Sequence, residues 1–204
     1  FSAGSLRMVE VGGKLYIHTC HEMYASDDGL NHQANMTFVI NEKDMKLLDS
    51  YYDVMNIAQA GYVSHSFNQF IKADEKFVYR VDHGDAYPRA VALIKCDING
   101  EITNVEYTLP IDLSEESGYW GNATGASVGG FELSEEECII VGNAVDYSKK
   151  GATNSDIRNV FVSITDKELK DTKVIWLTKY NNSSSMQVRT PNITKINANH
   201  FIIM

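Results

Sequence analysis

Four apolar triplets recur at a single interval. Leu15-Tyr16-Ile17, Phe77-Val78-Tyr79, Ile139-Ile140-Val141 and Phe201-Ile202-Ile203 begin 62 residues apart, three times in succession. A polar turn and an earlier apolar run stand before each, in "VEVGGKLYIHT", "IKADEKFVYRV", "ELSEEECIIVG" and "ITKINANHFIIM", the pattern of a β-hairpin. A variable polar segment follows. A third apolar run comes next ("ANMTFVIN", "RAVALIKCD", "RNVFVSITD"), and then a fourth ("MKLLDSYY", "ITNVEYTLP", "TKVIWLTK"). The unit is predicted to be four antiparallel strands, A to D, and the chain to be all-β.

A four-stranded sheet that is apolar on both faces needs a neighbour on each side, which is the condition of a blade in a β-propeller. The units run approximately over residues 1–62, 63–123, 124–185 and an incomplete 186–204, within a single domain spanning 1–204. At 62 residues per unit, 204 residues make about 3.3 blades, whereas a closed ring takes about four to eight. A partial propeller is therefore expected, its remaining blades supplied by a longer chain or by another copy. A stacked β-solenoid and an elongated sandwich are the alternatives. Typical blades of about 40–50 residues leave the extra length to loops, where binding groups concentrate.

A formal charge of −9 and the lack of any basic run argue against a nucleic-acid partner. No apolar stretch is long enough to span a bilayer, so membrane insertion is not expected. Cys20, Cys96 and Cys138 lie far apart and form neither a zinc framework nor a dense disulfide scaffold.

Because strands alternate in direction, the segment leading into A and the B–C loop open at the same end of a blade, with the A–B and C–D turns at the other. In the second unit, "VSHSFNQ" leads into A and "DHGDAYPR" is the B–C loop, which brings His65 and His83 to one end with Asp82, Asp85, Tyr87 and Arg89. In the first unit, "GSLRM" holds Arg7, and the B–C loop "HTCHEMYASDDGLNHQ" holds His18, His21, Tyr24, Asp28 and His32. Gln33, Arg89 and Arg158 each stand where a B–C loop enters strand C. Only His200 belongs to the opposite end, in an A–B turn.

Histidines converging with carboxylates suit a divalent metal. They equally suit general acid–base chemistry, with His65, His83 and Asp85 as the catalytic groups and Arg89 gripping an anionic substrate. Arg7, His18, His21, Asp28, His32, Gln33, Tyr87 and Arg158 would then contact the ligand. A simpler role competes with both: His65 bonded to Asp85, tying two loops together. "ASDDGLNH" shares only Asp27 and Gly29 with the S-x-D-x-G-x-x-W box of sialidases, and Asp28-Gly29 suits a turn.

The pair "SHSFNQF…DHGDAYPR" and the segment "TCHEMYASDDGLNHQANMTF" resemble uncharacterised propeller-like proteins of anaerobic bacteria that are predicted to be secreted or to sit at the cell surface. The resemblance covers the first two units and implies no particular activity. It leads to the expectation of an extracellular ligand-binding propeller whose His/Asp/Arg-rich end recognises a glycan or a peptide. A polysaccharide lyase or hydrolase using the same end is the second expectation, and a purely structural or interaction propeller the third.

Overall fold

The computed structural model describes residues 6–25, 31–52, 56–57, 61–62, 66–84, 91–99, 102–108, 126–146, 156–181 and 188–204. All of its regular elements are strands. The first sheet is the meander β1 (Leu6–Val11), β2 (Lys14–Ala25), β3 (Asn31–Asn41) and β4 (Leu47–Tyr52). After the small pair β5 (Asn56–Ile57) and β6 (Gly61–Tyr62) comes the second meander, β7 (Ser66–Ala73), β8 (Phe77–Gly84), β9 (Val91–Asp97) and β10 (Ile102–Thr108). The third is β11 (Ser127–Leu133), β12 (Glu137–Val145), β13 (Arg158–Asp166) and β14 (Thr172–Trp176), and the hairpin β15 (Ile193–Asn197) and β16 (His200–Ile203) ends the chain. The predicted four-stranded antiparallel unit is therefore present three times, followed by a two-stranded fourth.

The turns are built by local chemistry. Gly12 and Gly13, with φ of 60° and 73°, form the two-residue turn between β1 and β2, a conformation that few residues with a Cβ adopt. In the corresponding turn of the second sheet, Asp74 Oδ1 accepts the N–H groups of Lys76 and Phe77. Ser134 Oγ does the same for Glu136 and Glu137 in the third. Each third strand ends on a side chain that caps the next turn: Asn41, Asp97 and Asp166 accept the N–H of Lys43, Asn99 and Glu168.

The hydrogen-bond ladders refine the 62-residue period. The first residue of each second strand lies opposite the last of the third in the pairs Lys14–Asn41, Phe77–Asp97 and Glu137–Asp166. From 14 to 77 is 63 residues and from 77 to 137 is 60, so the apolar triplets share an interval without sharing a register. An odd step exchanges the two faces of a strand. In structural register, His18 corresponds to Val81 and Val141, and Ile17 to Arg80 and Ile140.

Sheets 2 and 3 each pack one face on the sheet before and the other on the sheet or hairpin after. Tyr16 and Val39 of sheet 1 meet Val78, Ala92, Ile94 and Cys96 of sheet 2. Tyr79, Val81, Val91 and Leu93 of sheet 2 meet Phe131, Cys138, Ile140 and Phe161 of sheet 3. Ile139, Val141 and Val162 of sheet 3 meet Ile193 and Phe201 of the hairpin. The first strands stand side by side, β1 against β7, β7 against β11, and β11 against β15. Where β11 meets the segment before β15 the approach is very close. A Cβ on Gly129 would lie 1.5 Å from the Pro191 carbonyl oxygen.

Candidate functional site

At the end of the stack that holds the A–B and C–D turns, neighbouring sheets are tied by long polar side chains. Lys14 Nζ donates to the Ile98 carbonyl across sheets 1 and 2, and Lys195 Nζ to the Leu133 carbonyl across the hairpin and sheet 3. Between sheets 2 and 3, Lys167 Nζ stands 3.0 Å from Asp74 Oδ2, which also accepts the Tyr79 hydroxyl at 3.2 Å. Burial works to raise the Asp74 pKa, but the N–H groups of Lys76 and Phe77 and the Lys167 ammonium outweigh it and hold the carboxyl below its ordinary value. Lys95, 3% exposed, donates to the Lys167 carbonyl at 2.7 Å, reaches Glu168 Oε1 at 3.2 Å and sits 4.0 Å above the Phe77 ring. Burial chiefly pushes the nearby Cys138 thiol up to about 12, so it stays protonated and acts as a small apolar group.

The opposite end is where the sequence-predicted residues were expected. The ladder brings the two second-unit motifs together as anticipated: Phe67 pairs with His83 and Asn68 with Asp82. His83 belongs to strand β8 rather than to a loop. His65, Asp85, Tyr87, Arg89 and Asp28 lie outside the described residues, and the His65–Asp85 tie with them. Arg7 is an exposed residue of β1, and Arg158, also exposed, opens β13 opposite Val145. His200, expected in the A–B turn, instead opens strand β16 directly after it, its Nδ1 lying 2.8 Å from Asn197 Oδ1.

The first unit departs from expectation. Its supposed B–C loop is mostly strand, because β2 and β3 stay paired beyond Thr19 and Met36. Among the described residues the β1 ladder reaches Leu6–Thr19 and the β4 ladder Met36–Tyr52, while β2 and β3 continue through Glu22–Ala34, Met23–Gln33, Tyr24–His32 and Ala25–Asn31. Among those residues the β2–β3 ribbon thus extends beyond the pairings of β1 and β4. His21 sits at the irregularity where this ribbon leaves the sheet, between the Thr19 and Glu22 pairings. Gln33, expected just ahead of strand C, is inside it.

His18, expected to contact a ligand, is instead wholly buried, at 0% exposure, in the contact between sheets 1 and 2. Its residue number is even, like that of Tyr16, so it points at sheet 2 rather than toward the open end. There it meets Arg80 of β8 and Thr37 of β3, themselves 1% and 2% exposed. Arginine can only donate, so its Nη1, 2.8 Å from His18 Nδ1 and 3.2 Å from Nε2, makes the imidazole the acceptor. The Thr37 hydroxyl lies 2.8 Å from Nδ1 and 3.4 Å from Nη1. Burial first, and then the neighbouring guanidinium, hold the His18 pKa well below its usual value, so the imidazole is neutral.

Arg80 is the residue that sequence reading overlooked. The available signal was a cation inside "FVYRV", a strand apolar on both faces, where a charge is out of keeping unless it is paired. Lys95 in "ALIKCD" carried the same signal. Among the described residues no group of three or more His, Cys, Asp or Glu side chains could hold a metal ion, and no helix is long and apolar enough to cross a membrane. Comparison with protein-family models, with curated proteins and with solved structures returns no match.

Proposed function

We propose that the sheets are blades of a β-propeller and that the module binds a glycan or a peptide, outside the cell or at its surface, at the end where the B–C connections open. The observation that carries this reading is the β2–β3 ribbon. Strands pack into sheets to cover their faces, and among the described residues this pair runs beyond the pairings of β1 and β4. Such an extension is well placed to reach a ligand. Its pairing sets Tyr24 opposite His32, and His21 stands at its base. In the adjacent unit, His83 and Asp82 occupy the same end, opposite Phe67 and Asn68. The propeller reading draws on the side-by-side first strands and on the repeated contact of one sheet's face with the next. With His18 buried beside Arg80, the ligand set on this proposal comprises the ribbon residues, Arg7, His83 and Arg158.

The test is a glycan array and a peptide library probed with the chain and with a His21→Ala/Tyr24→Ala/His32→Ala variant. A ligand that binds the parent and is weakened at least about tenfold in the variant, a loss of about 1.4 kcal/mol, supports the proposal. Unchanged binding by the variant overturns the assignment of the site. Cleavage of a bound polysaccharide that disappears in His83→Ala overturns the binding-module reading in favour of a lyase or hydrolase.

A further inference from the structure

We infer that the chain associates head to tail with a second copy of itself, the free face of sheet 1 packing on the free face of the β15–β16 hairpin. The inference rests on the observed sheet-on-sheet packing and needs neither propeller closure nor a ligand.

Every internal contact in the stack has one polarity, with the following face of one sheet against the preceding face of the next. On the preceding faces of sheets 2 and 3 the central rows are Val78–Cys96 with Arg80–Ile94, and Cys138–Thr165 with Ile140–Ser163. All eight of these residues except Ser163, Thr165 and Arg80 are apolar, and all eight are buried by the sheet before them. The corresponding rows of sheet 1 are Leu15–Ile40 and Ile17–Phe38. They are wholly apolar and only half-buried, and no sheet among the described residues packs on them. The row extends through Met8, paired with Ile17, and Leu6 beyond it, which are 56% and 59% exposed. Sheet 1 thus carries a more apolar version of a surface that the same chain covers twice elsewhere.

The complementary surface lies at the other end of the stack. Ile193 and Phe201 of the hairpin point back at sheet 3. By alternation, Ile202 and Met204 point forward, and Ile196 lies in the bulge beside them. These three are 49%, 72% and 58% exposed. A free preceding face and a free following face in one molecule make a heterologous, head-to-tail interface rather than a two-fold one. The occupant of each is the type of surface the chain itself presents at its other end.

The experiment is light scattering and native mass spectrometry of the chain over the micromolar to millimolar range. The expected result is a mass that rises with concentration in whole multiples of the monomer. Leu6→Lys/Met8→Lys removes the front face and Ile202→Lys/Met204→Lys the back, at positions exposed enough to leave the fold intact, which circular dichroism checks. Each variant alone is expected to be monomeric. Their mixture is expected to form a dimer and nothing larger, because one intact front and one intact back remain between them. A parent chain that stays monomeric throughout, a variant that still self-associates, or a mixture that fails to pair would each overturn the inference.

Discussion

Converting the buried polar group between sheets 1 and 2 into the apolar residues found at the same register positions of sheet 3 tests the register directly. In that register His18, Thr37 and Arg80 correspond to Val141, Val162 and Ile140 of sheet 3. The perturbation is the stepwise series His18→Val, Arg80→Ile and the triple variant His18→Val/Thr37→Val/Arg80→Ile. His18→Val withdraws the acceptor 2.8 Å from a guanidinium that is 1% exposed. Withdrawing one acceptor from a buried charge in this way costs about 1.5–3 kcal/mol. Arg80→Ile removes the charge and leaves His18 Nδ1 and Thr37 Oγ1 at 2.8 Å from one another, so the loss is that of an ordinary hydrogen bond, about 1 kcal/mol. The triple variant removes all three groups and is expected to recover part of the loss seen in His18→Val, since replacing the members of a buried polar group together strands fewer of them than removing one. Urea unfolding at neutral pH, with the slope checked for constancy, measures each step. If the losses simply add, so that the triple variant is the least stable of the series, the polar group is not one coupled unit and the register equivalence has no energetic meaning.

Titration gives a second handle on the same group. His18 is held neutral in the fold, whereas in the unfolded chain it protonates near pH 6.5; stability is therefore full above that pH and falls below it by about 1.4 kcal/mol per pH unit, a slope that His18→Val removes. Asp74, whose pKa is lowered in the fold, contributes stability above pH 4 that is lost as pH falls through its folded value, so Asp74→Asn flattens acid unfolding in that lower window. Lys95→Met keeps the contact with Phe77 but gives up the bond to the Lys167 carbonyl, and about 1–2 kcal/mol of unfolding free energy is expected to go with it. Gly129→Ala drives a methyl group into the Pro191 carbonyl; hydrogen exchange is expected to show lost protection over residues 193–203 while β8 and β9 stay protected.

The strand order, the meander topology and the way the second-unit motifs meet were all legible in the chain, because period-2 apolar runs and turn residues act locally. The register was not. Leu15, Phe77, Ile139 and Phe201 share an interval, yet Phe77 packs toward sheet 3 and Phe201 points back at it. The odd step of 63 residues from Lys14 to Phe77 exchanges which face a given number occupies, whereas the even step of 60 from Phe77 to Glu137 does not. The extent of β2 and β3 was hidden for a related reason. "HTCHEMYA" carries no clean apolar alternation, and a ribbon with no sheet to cover need not show one. His18 was misplaced as a consequence. Its fate was set by parity along β2, which a polar sequence context masks, and Arg80 became visible as its partner only once the sheets were stacked.

The polar contacts between sheets also bear on how such a chain avoids assembling wrongly. Repeats with similar strands risk stacking out of order, the usual failure of modular folds. Here each junction carries its own mark: His18 and Thr37 with Arg80 at the first, Thr108 with Ser163 at the second, Asn143 with Thr190 at the third. A sheet 2 that skipped its neighbour would press Arg80 against the apolar Val141–Val162 row of sheet 3 and bury a cation away from the His18 and Thr37 acceptors. The marks add little to stability, but they make every permutation of the stack worse than the native one.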